Sequence, residues 1–115
     1  MTKRIIIDTD PGVDDALTFL LALASPEIKL EALTTVQGNV TIEKATRNAL
    51  SVLELAKASH IPVVQGCSHP LIKTPHNSGE AVHGESGIGK SILPEPTSKP
   101  MDGHAVDYLI ERVLA

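Results

Sequence analysis

Short β-branched runs alternate with longer alanine- and leucine-rich segments through the first 65 residues, and this alternation restricts the fold more than any other feature. Strands are predicted over residues 4–9, 28–36 and 62–65, because each run is rich in Ile, Val or Leu and ends at a turn or at charged residues. Helices are predicted between them, over residues 14–24 and 41–56, with Thr41 as the cap of the second helix. This order is typical of a parallel wound sheet with flanking helices, so the sequence predicts an α/β, Rossmann-like fold.

The apolar positions of two helices also predict which surfaces are buried. The segment over residues 14–24 is apolar nearly all round, which indicates a helix buried on every side. A last helix is predicted over residues 102–114. Its inward face should carry apolar residues at helical spacing, namely Val106, Leu109, Ile110 and Val113.

Composition bounds the core and the kinds of partner. With 115 residues, 42% of them hydrophobic and only 2% aromatic, the chain is expected to form one domain with an aliphatic core. The single cysteine, Cys67, cannot form an internal disulfide and fits a reducing compartment. No apolar run reaches the length of a membrane span, and a net charge of −4 without a basic block argues against nucleic acid and anionic membranes as partners. We therefore expect a soluble, cytoplasmic protein.

Four aspartates fall within eight positions where the first strand ends, at Asp8, Asp10, Asp14 and Asp15. Their like charges repel one another, and a bound divalent cation would allow them to coexist. Carboxylate oxygens suit calcium or magnesium. In a parallel wound sheet, ligands collect at the carboxyl ends of the strands, where the turn at residues 37–39 also lies. The sequence therefore predicts a metal site at this edge of the sheet.

Two other aspartate-rich sites compete with this interpretation. An EF-hand loop is excluded, because it needs glycine at its sixth position and glutamate at its twelfth, where counting from Asp8 places Val13 and Phe19. A phosphatase of the haloacid dehalogenase type also begins with a hydrophobic strand and Asp-x-Asp, which would make Asp8 the nucleophile and Asp10 its acid–base partner. That pattern normally continues with a small polar pair and leaves the second pair of aspartates unexplained, but it stays open as an alternative.

Residues 84–91 satisfy the P-loop pattern G-x-x-x-x-G-K-[ST] letter for letter. Their context does not fit a P-loop, because no buried strand precedes them in the sequence pattern and Pro94 and Pro96 would interrupt the following helix. The match is therefore interpreted as chance. The stretch over about residues 67–100 is rich in proline and glycine and is predicted to be a flexible flap that closes over the ligand, with His83 able to approach it.

Three strings of residues point together to one family. They are Asp-Thr-Asp-Pro-Gly-Val-Asp-Asp-Ala at residues 8–16, Thr-Thr-Val-Gln-Gly-Asn at residues 34–39 and His-Gly-Glu-Ser-Gly-Ile-Gly at residues 83–89. In these strings the chain resembles the inosine–uridine-type nucleoside hydrolases, and the resemblance covers essentially its whole length. It implies hydrolysis of the N-glycosidic bond of ribonucleosides to free base and ribose, by a calcium-bound water.

The resemblance also implies a role for each residue that matches the family's motifs. Asp10 and Asp15 would ligate Ca²⁺, and Asp10 would in addition be the catalytic base that activates the water. Asp8 would be a supporting residue. The substrate-binding residues would be Asp14 on a ribose hydroxyl, Asn39 beside the sugar and the water, and His83 from the flap.

Members of this family are far longer than 115 residues, and the resemblance covers only their N-terminal part. Residues 1–115 are therefore expected to form the N-terminal portion of a single nucleoside hydrolase domain. Such a fragment should bind calcium weakly and be inactive alone, whereas the complete protein is expected to be a homo-oligomer that acts on a small ribonucleoside. A non-catalytic fragment that binds metal or ribose stays open as an alternative.

Overall fold

The computed structural model describes residues 1–72, 86–89 and 93–115 of the chain. Its strands are β1 (Lys3–Thr9), β2 (Ile28–Thr35) and β3 (Val63–Gln65), and its helices are α1 (Val13–Ala24), α2 (Ile42–Leu55) and α3 (Ala105–Leu114). The strands form one parallel sheet in the order β1-β2-β3, with α1 and α2 as the connections between them. The predicted parallel α/β fold is confirmed, and every strand ends within one residue of its predicted limits.

The register of the sheet brings the ends of the three strands together. Thr9 of β1 pairs with Thr35 of β2, and Thr35 pairs in turn with Gln65 of β3. Each of these residues is the last of its strand. The loops that follow the strands therefore leave the sheet side by side at its carboxyl edge.

The core is aliphatic apart from Phe19, as the composition predicts. Strand β2 lies in the middle of the sheet and is buried on both faces, because Leu33 and Thr35 are buried as well as Leu30 and Ala32. The main buried cluster joins α1, β2, α2 and β3 through Phe19, Leu30, Leu33, Ala49, Leu53 and Val63.

Two predictions about helix burial are wrong. Helix α1 buries Phe19 and Ala22, whereas Leu17 and Leu21 expose 63% and 69% of their surface. Helix α3 begins at Ala105 rather than at residue 102, and Ala105 is its buried residue, whereas Val106, Ile110 and Val113 are exposed. An apolar helix face is buried only where another element covers it. Among the described residues, β2 and α2 cover one side of α1, and β3 contacts α3 near its start.

The starts of two helices are set by side chains that accept a backbone hydrogen bond. The Thr41 hydroxyl accepts from the Lys44 amide at 3.4 Å, which confirms Thr41 as the predicted cap of α2. His104 caps α3, because its Nδ1 accepts from the Val106 amide at 3.1 Å. Within the described residues, none of the helices is long and apolar enough to cross a membrane.

Glu31 on β2 joins the sheet to α3 through two arginines. The Arg4 guanidinium donates to Glu31 at 2.6 Å and the Arg112 guanidinium at 2.8 Å. The hydrogen bond from Arg4 is the main cause that holds the pKa of Glu31 below its ordinary value of 4.5, and burial opposes it. The ionised carboxylate is therefore favoured in the folded chain.

From this we expect Glu31→Gln to lower the free energy of unfolding near neutral pH. Because the pKa of Glu31 is lower in the folded than in the unfolded chain, its contribution is complete above pH 4.5 and is lost as the pH falls through the lowered value. Urea unfolding of both proteins between about pH 3 and pH 7 measures the difference. Glu27→Gln is the matched control, since Glu27 forms no side-chain ion pair among the described residues. A Glu31→Gln effect that is independent of pH would contradict this prediction.

Candidate functional site

Backbone hydrogen bonds continue beyond the strands and hold the loops at the carboxyl edge in place. The Val36 amide donates to the Thr9 carbonyl at 3.1 Å, which aligns the loop after β2 with the loop after β1. The Gln37 amide donates to the Cys67 carbonyl at 3.0 Å, which attaches the same loop to the segment after β3. The loop after β2 is thus held from both sides.

Asp10 and Asn39 are joined by two hydrogen bonds across 29 positions of sequence. The Asn39 amide donates to Asp10 Oδ2 at 2.9 Å, and Asn39 Nδ2 donates to the Asp10 carbonyl at 3.1 Å. The first bond holds the carboxylate and the second holds the backbone, so both the side chain and the main chain of Asp10 are fixed. The structure thus brings together two of the residues that the sequence assigns to one site.

Gly38 is the residue that allows this contact. A Cβ at position 38 would overlap Asp10 Oδ2 and lie 2.8 Å from Asp10 Cγ. Any other residue at this position would therefore push the carboxylate away from the Asn39 amide. The sequence marks Gly38 as part of a turn, but its contact with Asp10 is visible only in the folded chain.

Asp14 and Asp15 lie in the first turn of α1, where the helix dipole favours negative charge. The half-buried Asp15 accepts from the Gly12 amide through Oδ2 at 3.4 Å, so one of its oxygens faces the start of its own helix. The Asp14 side chain is exposed. Both carboxylates are close in sequence to Asp10, which lies in the loop between β1 and α1.

Asp8 is directed toward β2 rather than toward the other aspartates. Its Oδ1 accepts from the Thr34 hydroxyl at 2.6 Å, and Asp8 also pairs with Thr34 in the sheet register. This bond ties the ends of β1 and β2 together one residue before the loops begin. The supporting role that the family resemblance implies for Asp8 stays a prediction.

The segment at residues 86–89 packs against the loop that carries Asp10. Asn48 of α2 donates through Nδ2 to the Ser86 carbonyl at 2.7 Å and to the Pro11 carbonyl at 3.4 Å. Gly87 has a φ of +91°, and a Cβ there would lie 2.9 Å from both Asn48 Nδ2 and Val40 Cγ1. His83 lies among residues 73–85, which are outside the described part of the chain, so its approach to the substrate stays a prediction.

The expected crowding of four carboxylates around one ion is not confirmed. Within residues 1–72, 86–89 and 93–115, no group of three or more His, Cys, Asp or Glu side chains is placed to share a metal ion. Asp8 is bonded to β2, Asp10 to the loop after β2, and Asp15 to the start of α1. Calcium takes six to eight oxygen ligands, so two carboxylates such as Asp10 and Asp15 would make only part of a calcium site.

The fold places the chain among α/β proteins with a parallel sheet, a class that binds ligands at the carboxyl ends of its strands. The chain belongs to the inosine-uridine preferring nucleoside hydrolase family, because the sequence profile of that family matches residues 5–115. The family predicted from the sequence is therefore confirmed.

Named relatives show the same similarity and also its limits. The inosine-uridine preferring nucleoside hydrolase of Crithidia fasciculata is 45% identical over 116 residues, which cover 100% of this chain and 36% of that protein. The pyrimidine-specific ribonucleoside hydrolase of Salmonella enteritidis is 47% identical over 95% of this chain and 35% of its own. The structure of a purine-preferring ribonucleoside hydrolase from Gardnerella vaginalis superposes with a TM-score of 0.92 at 37% identity, over 97% of this chain and 36% of that one. The chain thus spans about a third of the length of these relatives.

Proposed function

We propose that this chain supplies the water-activating and ribose-binding part of an enzyme that hydrolyses the N-glycosidic bond of ribonucleosides to free base and ribose. The observation that carries the proposal is the double hydrogen bond between Asp10 and Asn39 at the carboxyl edge of the sheet. It places a fixed carboxylate beside an amide side chain in a chain of the nucleoside hydrolase family. The family match also favours this function over the phosphatase alternative.

Asp10 is the proposed catalytic base. The Asn39 amide occupies Oδ2, which leaves Oδ1 to accept the proton of the attacking water. Asp10 and Asp15 would hold Ca²⁺, and when bound, that ion lowers the pKa of a coordinated water and positions the vicinal ribose hydroxyls. Asp8 supports the site by fixing the end of β1 on β2.

The remaining residues are proposed to bind and orient the ribose. Asp14, exposed at the start of α1, would accept a hydrogen bond from a ribose hydroxyl, and Asn39 would line the pocket beside the sugar. Cleavage of an N-ribosidic bond passes through a sugar with oxocarbenium character, whose positive charge nearby carboxylates stabilise. His83 would approach the substrate from the flap.

We propose that activity also requires the remaining two thirds of the domain, which are present in the longer relatives. Two carboxylates give calcium fewer oxygen ligands than it needs, so this chain alone should bind the ion weakly and should not turn over. Among the relatives, one enzyme is named pyrimidine-specific and another purine-preferring, so the proposal covers ribonucleosides as a class. The cytoplasmic location and the homo-oligomer expected for the complete protein stay predictions.

The test is a chimera in which this chain replaces the matching third of the Crithidia fasciculata enzyme. We expect the chimera to release free base and ribose from inosine and uridine, and to lose this activity when a calcium chelator is added. The 115-residue chain alone should release free base no faster than the same buffer without protein. Clear activity of the isolated chain would contradict the need for further ligands.

Two outcomes of the same experiment would overturn the catalytic proposal. A chimera that folds, as judged by circular dichroism, but neither binds nor cleaves ribonucleosides would show that this chain cannot supply the site. A chimera that binds calcium and a ribonucleoside and releases no base would support the non-catalytic alternative.

A further inference from the structure

Asn48 is a buried polar side chain for which the sequence predicts no role. It lies on α2 with 1% of its surface exposed. Its amide nitrogen donates to two carbonyls from different parts of the chain, Ser86 at 2.7 Å and Pro11 at 3.4 Å. These residues lie 38 and 37 positions from Asn48, on opposite sides of it in sequence. One amide thus connects the segment at residues 86–89 to the loop between β1 and α1 that carries Asp10 (the acidic loop).

Helix α2 also binds the segment at residues 94–98 through further polar side chains. Ser51 donates through its hydroxyl to the Pro94 carbonyl at 3.3 Å, and Arg47 pairs with Glu95 at 2.6 Å. Glu54, one turn further along the helix, accepts hydrogen bonds from the residues at 97 and 98. Asn48 differs from these three residues because its amide also reaches Pro11, next to Asp10.

The junction around Asn48 is close-packed, so its parts cannot move independently. A Cβ on Gly87 would lie 2.9 Å from Asn48 Nδ2 and from Val40 Cγ1, and 3.3 Å from the Pro11 carbonyl. The segment at residues 86–89 is thus pressed against the acidic loop as well as against the helix. Because a buried carbonyl that loses its donor is costly, a shift on one side of Asn48 disturbs the partner on the other side.

We propose that Asn48 is a positioning residue that couples the segment at residues 86–89 to the acidic loop, and thereby to the orientation of Asp10. The catalytic consequence of this coupling rests on the proposed function, whereas the coupling itself does not. Asn48 does not need to touch the substrate in this role. Its effect passes through Pro11 to the preceding residue in the chain, Asp10, whose carboxylate accepts from the Asn39 amide.

Residue-resolved amide exchange on the 115-residue chain tests the coupling. In Asn48→Ala we expect exchange of the Asn39 amide to accelerate about tenfold relative to amides of the core strands, because one buried hydrogen-bond donor has been removed. Gly87→Ala, which crowds the same junction from the other side, should have the same effect. Ser51→Ala is the matched control, since it removes the hydrogen bond from α2 to the Pro94 carbonyl without touching Pro11. It should leave the exchange rate of the Asn39 amide unchanged.

Two results of the amide-exchange experiment would overturn the proposal. One is equal acceleration at all amides, which would mean that Asn48 only stabilises the fold. The other is acceleration limited to residues 87–89 with no change at Asn39. If Asn48→Ala does not fold, Gly87→Ala decides between these results in the same way.

Kinetics in the chimera separate positioning from general stability. We expect Asn48→Ala to lower kcat about tenfold while KM stays within about twofold, because the carboxylate that acts on the water is displaced and the sugar contacts are not. Ser51→Ala should change neither constant. An unchanged kcat in Asn48→Ala would overturn the coupling to Asp10. If the wild-type chimera is inactive, the proposed function fails, and amide exchange alone decides the coupling.

Discussion

Asp10→Asn in the chimera is expected to lower kcat for ribonucleoside cleavage about a thousandfold, the size of effect typical for the loss of a general base. Asparagine has nearly the shape of aspartate, and its side-chain oxygen can still accept from the Asn39 amide at the position of Oδ2. It cannot take a proton from water at neutral pH, and it offers calcium no negative charge. The variant should therefore fold normally and lose the chemical step.

Steady-state kinetics with inosine measure the loss of turnover. Titration calorimetry with calcium measures the loss of affinity for the ion. Asp102→Asn is the matched control, because Asp102 is exposed and far in sequence from the acidic loop. It should retain wild-type turnover. An Asp10→Asn chimera with more than about a tenth of the wild-type kcat would contradict the proposed role of Asp10 as base.

Gly38→Ala is expected to lower kcat about a hundredfold with only a small loss of stability. The added methyl group would occupy the space of Asp10 Oδ2, so the carboxylate must rotate away from the Asn39 amide. The atoms that give way are the end of a side chain rather than backbone, which limits the cost to folding. A displacement of about 1 Å at a catalytic group is enough for an effect of this size.

Gly103→Ala is the control for the substitution of glycine itself. Gly103 has a φ of +105°, so alanine is strained there, but a Cβ at this position would meet no atom within 4 Å. Gly103→Ala should lower the melting temperature and leave kcat unchanged, whereas Gly38→Ala should lower kcat and change the melting temperature only slightly. Normal kcat in a folded Gly38→Ala chimera would contradict the proposal that Gly38 holds Asp10 in its active orientation.

The sequence was sufficient for the order and the limits of the strands, because β-branched runs and the residues that end them are local features. It was also sufficient for the Thr41 cap and for the family, since both rest on contiguous residues. The burial of α1 and α3 was predicted wrongly. A periodic pattern shows which helix face is apolar, but only the neighbouring elements decide whether that face is covered.

The contacts within the site are a property of the folded chain. Asp10 and Asn39 belong to separate motifs, and the pairing of β1 with β2 brings them together. Asn48 reads in sequence as one polar residue within a helix, and its two partners, Pro11 and Ser86, lie nearly 40 positions away on either side. Local sequence thus determined which residue types stand at the ends of the strands. The parallel sheet decided which of them meet, because side chains distant in sequence are aligned only when neighbouring strands pair in register.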